Sequence, residues 1–179
     1  MEGMSHPSAS ASPIQRRISL LRHAEAMPER GGDDSERPLS EAGRAQAAAL
    51  GVWLREQALA PQFVACSTAL RTRETLALLQ LDAPVDYRAS LYLASAGDML
   101  AQLQQLDASV QHVLLIAHNP GMHGLAALLA GEYAREADAD QLVGRYPTCG
   151  FVSMSFMGDW APLAPQAATL DLLRFTAGY

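Results

Sequence analysis

The sequence predicts an α/β fold, a three-layer α/β/α sandwich around a mostly parallel sheet. Three apolar runs carry the prediction: Ile18–Leu21, Phe63–Cys66 and His112–Ala117. Each is short and bounded by polar residues, as expected of a buried strand. A helical pattern follows each run, and strand–helix–strand repetition specifies parallel strands with helices on their faces. The runs also end abruptly in chemistry-bearing residues: Arg22-His23 after the first, Ser67 to Arg71 after the second, His118 after the third. In open α/β sheets, ligands bind just beyond the carboxyl ends of the strands.

Residues 1–17 read as an unstructured leader, because Ser, Ala and Pro dominate from Ser5 to Pro13 without hydrophobic periodicity. The leader has no apolar core of the kind a secretory signal needs, and the apolar stretch after Arg16-Arg17 serves better as the first strand. Residues 18–179 are expected to form one domain, a length that buries roughly 70% of the unfolded surface.

After His23 a polar loop runs from Met27 to Arg37. Ser40 then caps a helix over about residues 41–57, with Leu50, Trp53 and Leu54 on its core face. Ser67 or Thr68 is expected to cap the next helix, which runs to about Gln80. Arg71 falls in its first turn, where the helix dipole disfavours a cation unless an anion lies nearby. Val85–Tyr87 predicts a third strand, and Ala96–Leu106 a helix carrying Met99, Leu100, Leu103 and Leu106 at core spacing. Asn119 as cap and Pro120 as first helical residue start another helix, ending near Gly131. Cys149–Phe156 and Thr169–Phe175 read as an antiparallel pair.

Composition excludes several functions. A net charge of −6 argues against general nucleic-acid binding. No apolar run approaches the roughly 20 residues that span a bilayer, so no membrane partner is expected. Two cysteines without metal spacing, Cys66 and Cys149, suit a reducing, cytoplasmic setting. An anion site in such a chain must be a local cluster of positive charge.

Arg22, His23, Arg71 and His118 form that cluster. Two guanidinium forks can hold phosphoryl oxygens, one imidazole can attack phosphorus in line, and the other can donate a hydrogen bond to the growing charge. A metal site would need His and carboxylate ligands without Arg beside them, so no metal and no cofactor is expected.

These segments resemble the histidine phosphatase superfamily, with its phosphoglycerate-mutase-like fold, and within it the SixA-type phosphohistidine phosphatases. Leu21-Arg22-His23-Ala24 is similar to the R-H-G signature, and Asp34 to Ser40 to the D-x-x-R-P-L-T/S segment. Ser67 to Thr75 resembles S-x-x-x-R-A-x-x-T, and Val113 to Gly121 the segment of the second histidine. Pro147-Thr148 and Trp160 fit the C-terminal region of the group. The resemblance implies His23 as nucleophile, Arg22, Arg71 and His118 in the phosphate pocket, Arg37 at its rim, and Asn119 among the substrate-binding residues. Ala24 and Ala117 stand where glycine is usual, and Thr72 where alanine is common.

Asn119 occupies the place where the acid-phosphatase branch carries its Asp proton donor. Glu25 and Asp98 are candidate general acids, and so is the pair Asp33-Asp34. The connection from Tyr87 to His112 leaves room for one helix, without the cap insertion of phosphoglycerate mutases. An open site and a missing acid imply a phosphohistidine-bearing protein of a phosphorelay or phosphocarrier system as substrate. A small phosphate ester is the alternative, and a phosphate-binding module without turnover a third.

Overall fold

A computed structural model describes residues 14–29 and 31–175. The leader expected over residues 1–17 lies outside the described residues up to position 13, and the first strand begins at Gln15 rather than Ile18. The elements in chain order are β1 (Gln15–Arg22), α1 (Glu41–Glu56), β2 (Phe63–Ser67), α2 (Leu70–Leu79), β3 (Val85–Arg88), α3 (Ala96–Gln104), β4 (His112–Ala117), α4 (Gly121–Leu129), β5 (Ala130–Tyr133), α5 (Glu136–Gly144), β6 (Phe151–Met157) and β7 (Ala168–Arg174). One 3₁₀ turn covers Asp34–Glu36 and another Ala89–Leu91.

The seven strands form one sheet in the order β3-β2-β4-β1-β6-β7-β5. Strands β3, β2, β4 and β1 run parallel, β6 pairs antiparallel with β1 and β7, and β5 lies parallel to β7. The mostly parallel α/β/α sandwich expected from the sequence is the observed fold.

Strand alternation sorts the core into two layers. Ile18, Leu20, Val113, Leu115 and Ala117 face one side, against Met99 and Leu103 of α3 and Met122, Leu125 and Leu129 of α4. Leu21, Leu114 and Ile116 face the other, against Leu50 and Leu54 of α1 and Leu76 and Leu79 of α2. With period 2, a one-residue slip in β4 would turn both faces inside out, which fixes its register against β1.

Register is what assembles the site. Leu21 lies level with Ile116, and Ile116 with Cys66. Hence Ser67, His118 and the Arg22-His23 pair emerge together at the same edge of three adjacent parallel strands.

Several boundaries differ from expectation. Ser40 does cap α1, accepting from the Gly43 amide. Neither Ser67 nor Thr68 caps α2, whose first turn follows Ala69. Ser67 is committed elsewhere, and Thr72 Oγ1 instead donates to the carbonyls of Ser67 and Ala69. Helix α4 begins at Gly121 although Pro120 already has helical backbone angles. The Asn119 side chain still accepts from the His123 amide, one turn on. Gly121 is required there, since a Cβ would overlap the Ala94 carbonyl and hold α4 away from the loop before α3. Strand β5 and helix α5 had no counterpart in the sequence reading.

Candidate active site

Four residues singled out from sequence meet at the carboxyl edge of the sheet. Arg22, His23, Arg71 and His118 line one cleft of about 330 Å³, together with Glu25, Ala26, Asp34, Arg37, Leu93, Asn119 and Thr148.

His23 is buried, and its ring is fixed at both nitrogens. Nδ1 donates to the Ala24 carbonyl at 2.8 Å, which leaves the lone pair on Nε2. Arg71 Nε faces that lone pair at 3.3 Å. Burial pushes the His23 pKa down to about 4; the Ala24 bond is the next largest influence and opposes it, and the positive charges of Arg71, Arg22 and Arg37 add to the lowering. The ring is therefore neutral near pH 7, with its Nε2 electron pair accepting from Arg71. The Ala24 amide donates to Thr75 Oγ1 at 3.0 Å, tying this turn to α2. Alanine in place of the usual glycine is accommodated here, fully buried.

His118 lies 5.2 Å from His23, centroid to centroid. Its Nε2 is 2.8 Å from Ser67 Oγ. Ser67 Oγ accepts from the Ala69 amide, so its own hydrogen is free to go to His118 Nε2. On this assignment the His118 hydrogen sits on Nδ1, which has no hydrogen-bond partner among the described residues. Burial, then the neighbouring His23 and Arg71, lowers its pKa to about 3. The result is a neutral imidazole presenting an N–H donor.

Arg22 and Asn119 share one anchor. Arg22 NH1 donates to the Tyr146 carbonyl at 3.0 Å and Asn119 Nδ2 to the same oxygen at 2.8 Å. Tyr146 is itself pinned, its hydroxyl donating to the Leu20 carbonyl. Arg22 Nε is without a hydrogen-bond partner among the described residues.

Arg71 resolves the anomaly of a cation in the first turn of a helix. Its NH2 meets Asp34 Oδ2 at 2.9 Å, and its NH1 donates to the Asp34 carbonyl at 2.6 Å. The anion that offsets the helix dipole is a side chain of the 3₁₀ turn. Asp34 also accepts from the Tyr92 hydroxyl at 2.7 Å and from Arg37 Nε at 3.0 Å. The Tyr92 bond first, then those from Arg71 and Arg37, hold the Asp34 carboxyl at about 2 despite some burial. Arg37 also lines the cleft and donates to the Met27 carbonyl.

The candidate acids separate. Glu25 lines the cleft, exposed, with Oε1 accepting from Ser40 Oγ at 2.7 Å. The backbone of Glu25 is held close by Gly43, where a Cβ would overlap its carbonyl. Asp98 is absent from the cleft and closes a capping box with Ser95 at the start of α3. Hydrogen bonds from Ser95 keep its carboxyl below the usual range. Asp33 is exposed and caps the 3₁₀ turn through the Ser35 amide. Sequence reading missed Tyr92 and the second use of Ser67. Neither carries a local signal, since both act through partners distant in the chain.

The buried His23 and His118 and the half-buried His112 predict a pH dependence. His112, held between Ser19 and the Ala60 carbonyl, has its pKa lowered to about 4 by burial. For His23, His112 and His118 the folded pKa lies below the unfolded value of about 6.5. The unfolded chain then binds more protons between roughly pH 4 and 6.5, so stability rises with pH across that window and is lost as pH falls through it. Urea midpoints should increase from pH 4.5 to 7, and ring resonances should show these three imidazoles titrating near or below pH 4.

Comparison with known proteins agrees with this geometry. Residues 18–115 match the model of the histidine phosphatase superfamily (branch 1). An uncharacterized protein of Mycobacterium tuberculosis is 34% identical over 151 residues, covering 84% of this chain and 96% of that protein. A structure from Nakamurella multipartitia, assigned as the phosphohistidine phosphatase SixA, superposes with a TM-score of 0.81 at 32% identity, covering 94% of this chain and all of the other. A second so assigned, from Agrobacterium tumefaciens, gives 0.70 at 29% identity over 79% of this chain and 92% of that one. The chain belongs to the histidine phosphatase superfamily, and its likeness is to the SixA type. It is a phosphatase, and its substrate carries a phosphoryl group.

Proposed function

We propose that the chain hydrolyses phosphohistidine on a phosphorelay or phosphocarrier protein through a covalent intermediate on His23. The observation that carries this reading is the pairing of a neutral, oriented His23 with a cleft whose two carboxyl groups among the described residues, Asp34 and Glu25, are both engaged in hydrogen bonds. Asp34 is held ionised, Asp98 lies elsewhere, and Glu25 is engaged with Ser40.

In the proposed reaction the Nε2 pair of His23 attacks phosphorus. Arg22 and Arg71 hold two phosphoryl oxygens, and His118 Nδ1–H donates to a third. Arg37 and Asn119 shape the rim. The phosphorus–nitrogen bond of the substrate breaks, its electron pair passing to the departing imidazole. Water then attacks the phosphorylated His23, which leaves with its own pair and frees inorganic phosphate. Imidazole departs as a neutral base of pKa about 6.5, whereas an alkoxide needs a proton. The SixA assignments of the two solved relatives support the same substrate class.

Single-turnover rates on phosphohistidine protein, aryl phosphate and alkyl phosphate test this. Missing acid assistance, typically about 10²–10⁴-fold, should appear as a steep fall toward alkyl phosphates, with aryl phosphates between. Turnover should persist in EDTA. The presence of Glu25 at the cleft favours a second reading, a phosphatase of small esters. A flat leaving-group dependence that collapses in Glu25→Gln would establish it.

A further inference from the structure

Asp34 is the feature that the phosphate chemistry leaves unexplained. A carboxylate inside an anion site repels a dianionic phosphoryl group and weakens its binding. Beyond bracing Arg71, it helps only when the ligand also brings a proton donor or a positive charge. Building on the phosphohistidine reading, we propose that Asp34 determines substrate choice by accepting a hydrogen bond from the distal ring N–H of the departing imidazole.

Placement supports the assignment. Arg71 touches His23 through Nε and Asp34 through its two outer nitrogens, so Asp34 lies on the far side of the guanidinium from the nucleophile. In-line displacement sends the leaving group away from His23. The depth of the side chains agrees: Arg71 is 2% exposed at the floor, while Asp34 is 33% and Arg37 27% exposed at the mouth. A histidine displayed on another protein must stay at the mouth. Tyr92 and Arg37 grip Asp34 from opposite sides and fix its direction.

The chemistry requires that hydrogen. A phosphoimidazole protonated on its distal nitrogen carries a positive ring. When the phosphorus–nitrogen bond breaks, its pair neutralises that charge and neutral imidazole leaves. Without the distal proton the ring would leave as an anion. An ionised Asp34 favours the protonated form. For an aryl phosphate the same charge works in the opposite direction, because phenolate leaves as an anion. Other groups set the field: Arg71 from α2, Arg37 and Asp33 beside Asp34, Tyr92 after the second 3₁₀ turn, and Arg22, His23, Glu25 and His118 across the cleft.

The test compares kcat/KM for a phosphohistidine peptide and for p-nitrophenyl phosphate in the wild type, Asp34→Asn, Asp34→Glu and Asp98→Asn. The quotient of the two should fall about 10–100-fold in Asp34→Asn, the range expected for a lost hydrogen bond to a charged group. The alkaline limb of peptide turnover should move to lower pH in that variant. Asp34→Glu should restore much of the quotient, and Asp98→Asn, outside the cleft, should leave it near the wild-type ratio. Equal losses on both substrates would mean that Asp34 only braces Arg71, and the proposal would fall. An unchanged quotient would sink it while leaving the phosphohistidine reading intact. A wild type that cleaves the aryl ester but not the peptide would overturn both.

Discussion

His23→Ala should lose turnover by about 10⁴-fold or more, the scale seen when a nucleophile acting as part of a catalytic unit is deleted. The size follows from what surrounds the ring. Nδ1 is locked to the Ala24 carbonyl and Nε2 faces Arg71, so the substitution removes an electron pair already aimed at the cations. His118 is 5.2 Å away by ring centroid, with Nε2 committed to Ser67 and, on our assignment, a hydrogen on Nδ1. It can donate to phosphate but has no lone pair to offer. Rapid quench with labelled substrate should trap an acid-labile phosphoenzyme in the wild type and none in the variant. The turn should survive, because the Ala24 amide remains tied to Thr75 and the Cys149 amide to the His23 carbonyl. A variant that keeps wild-type turnover would disprove the nucleophile assignment.

The contrast between legible and illegible residues has a physical basis. Arg22, His23 and His118 could be read because apolar runs end sharply, and a buried strand delivers its next residue to the sheet edge. Arg71 could be suspected because a cation opposed a helix dipole. The anion that answers it, Asp34, is 37 positions away, and no periodicity links the two. Tyr92 sits in irregular chain after a single 3₁₀ turn, where apolar spacing carries no information. The segment forming β5 and α5 was invisible for another reason. Its Ala-Gly-Glu-Tyr strand is held by parallel pairing with β7, and Leu142 and Asp138 are the only buried residues of the helix. Long-range pairing, not local pattern, decides such elements. Asp98 misled because a carboxylate at a helix start suits both a capping box and a site, and the structure uses it for the cap.

Arg71→Ala should reduce turnover about 10³–10⁵-fold, the scale of a transferring-phosphoryl arginine, while costing the fold comparatively little. Three functions are lost at once: a positive charge in a buried floor, the guanidinium hydrogens that Asp34 and His23 leave for phosphoryl oxygens, and the Nε contact that orients His23. Stability follows a different balance. The cation is buried and sits beside Arg22 and His23, so its removal relieves repulsion and desolvation. Asp34 loses a partner but keeps Tyr92 and Arg37, and it is partly open to solvent. We therefore expect urea unfolding to change by no more than about 1–2 kcal/mol, within the ordinary range of single substitutions. His23 supplies an internal check. Arg71 is among the charges that depress it, so its pKa should rise from about 4 in Arg71→Ala, moving ring titration toward the ordinary histidine range. Arg71→Lys keeps the charge as a point and forfeits the fork, so it should restore the low His23 pKa more fully than it restores turnover. If Arg71→Ala retained activity within tenfold of wild type, the phosphoryl group would have to be held by Arg22 and Arg37 alone. The floor of the cleft would then serve the fold and not the reaction.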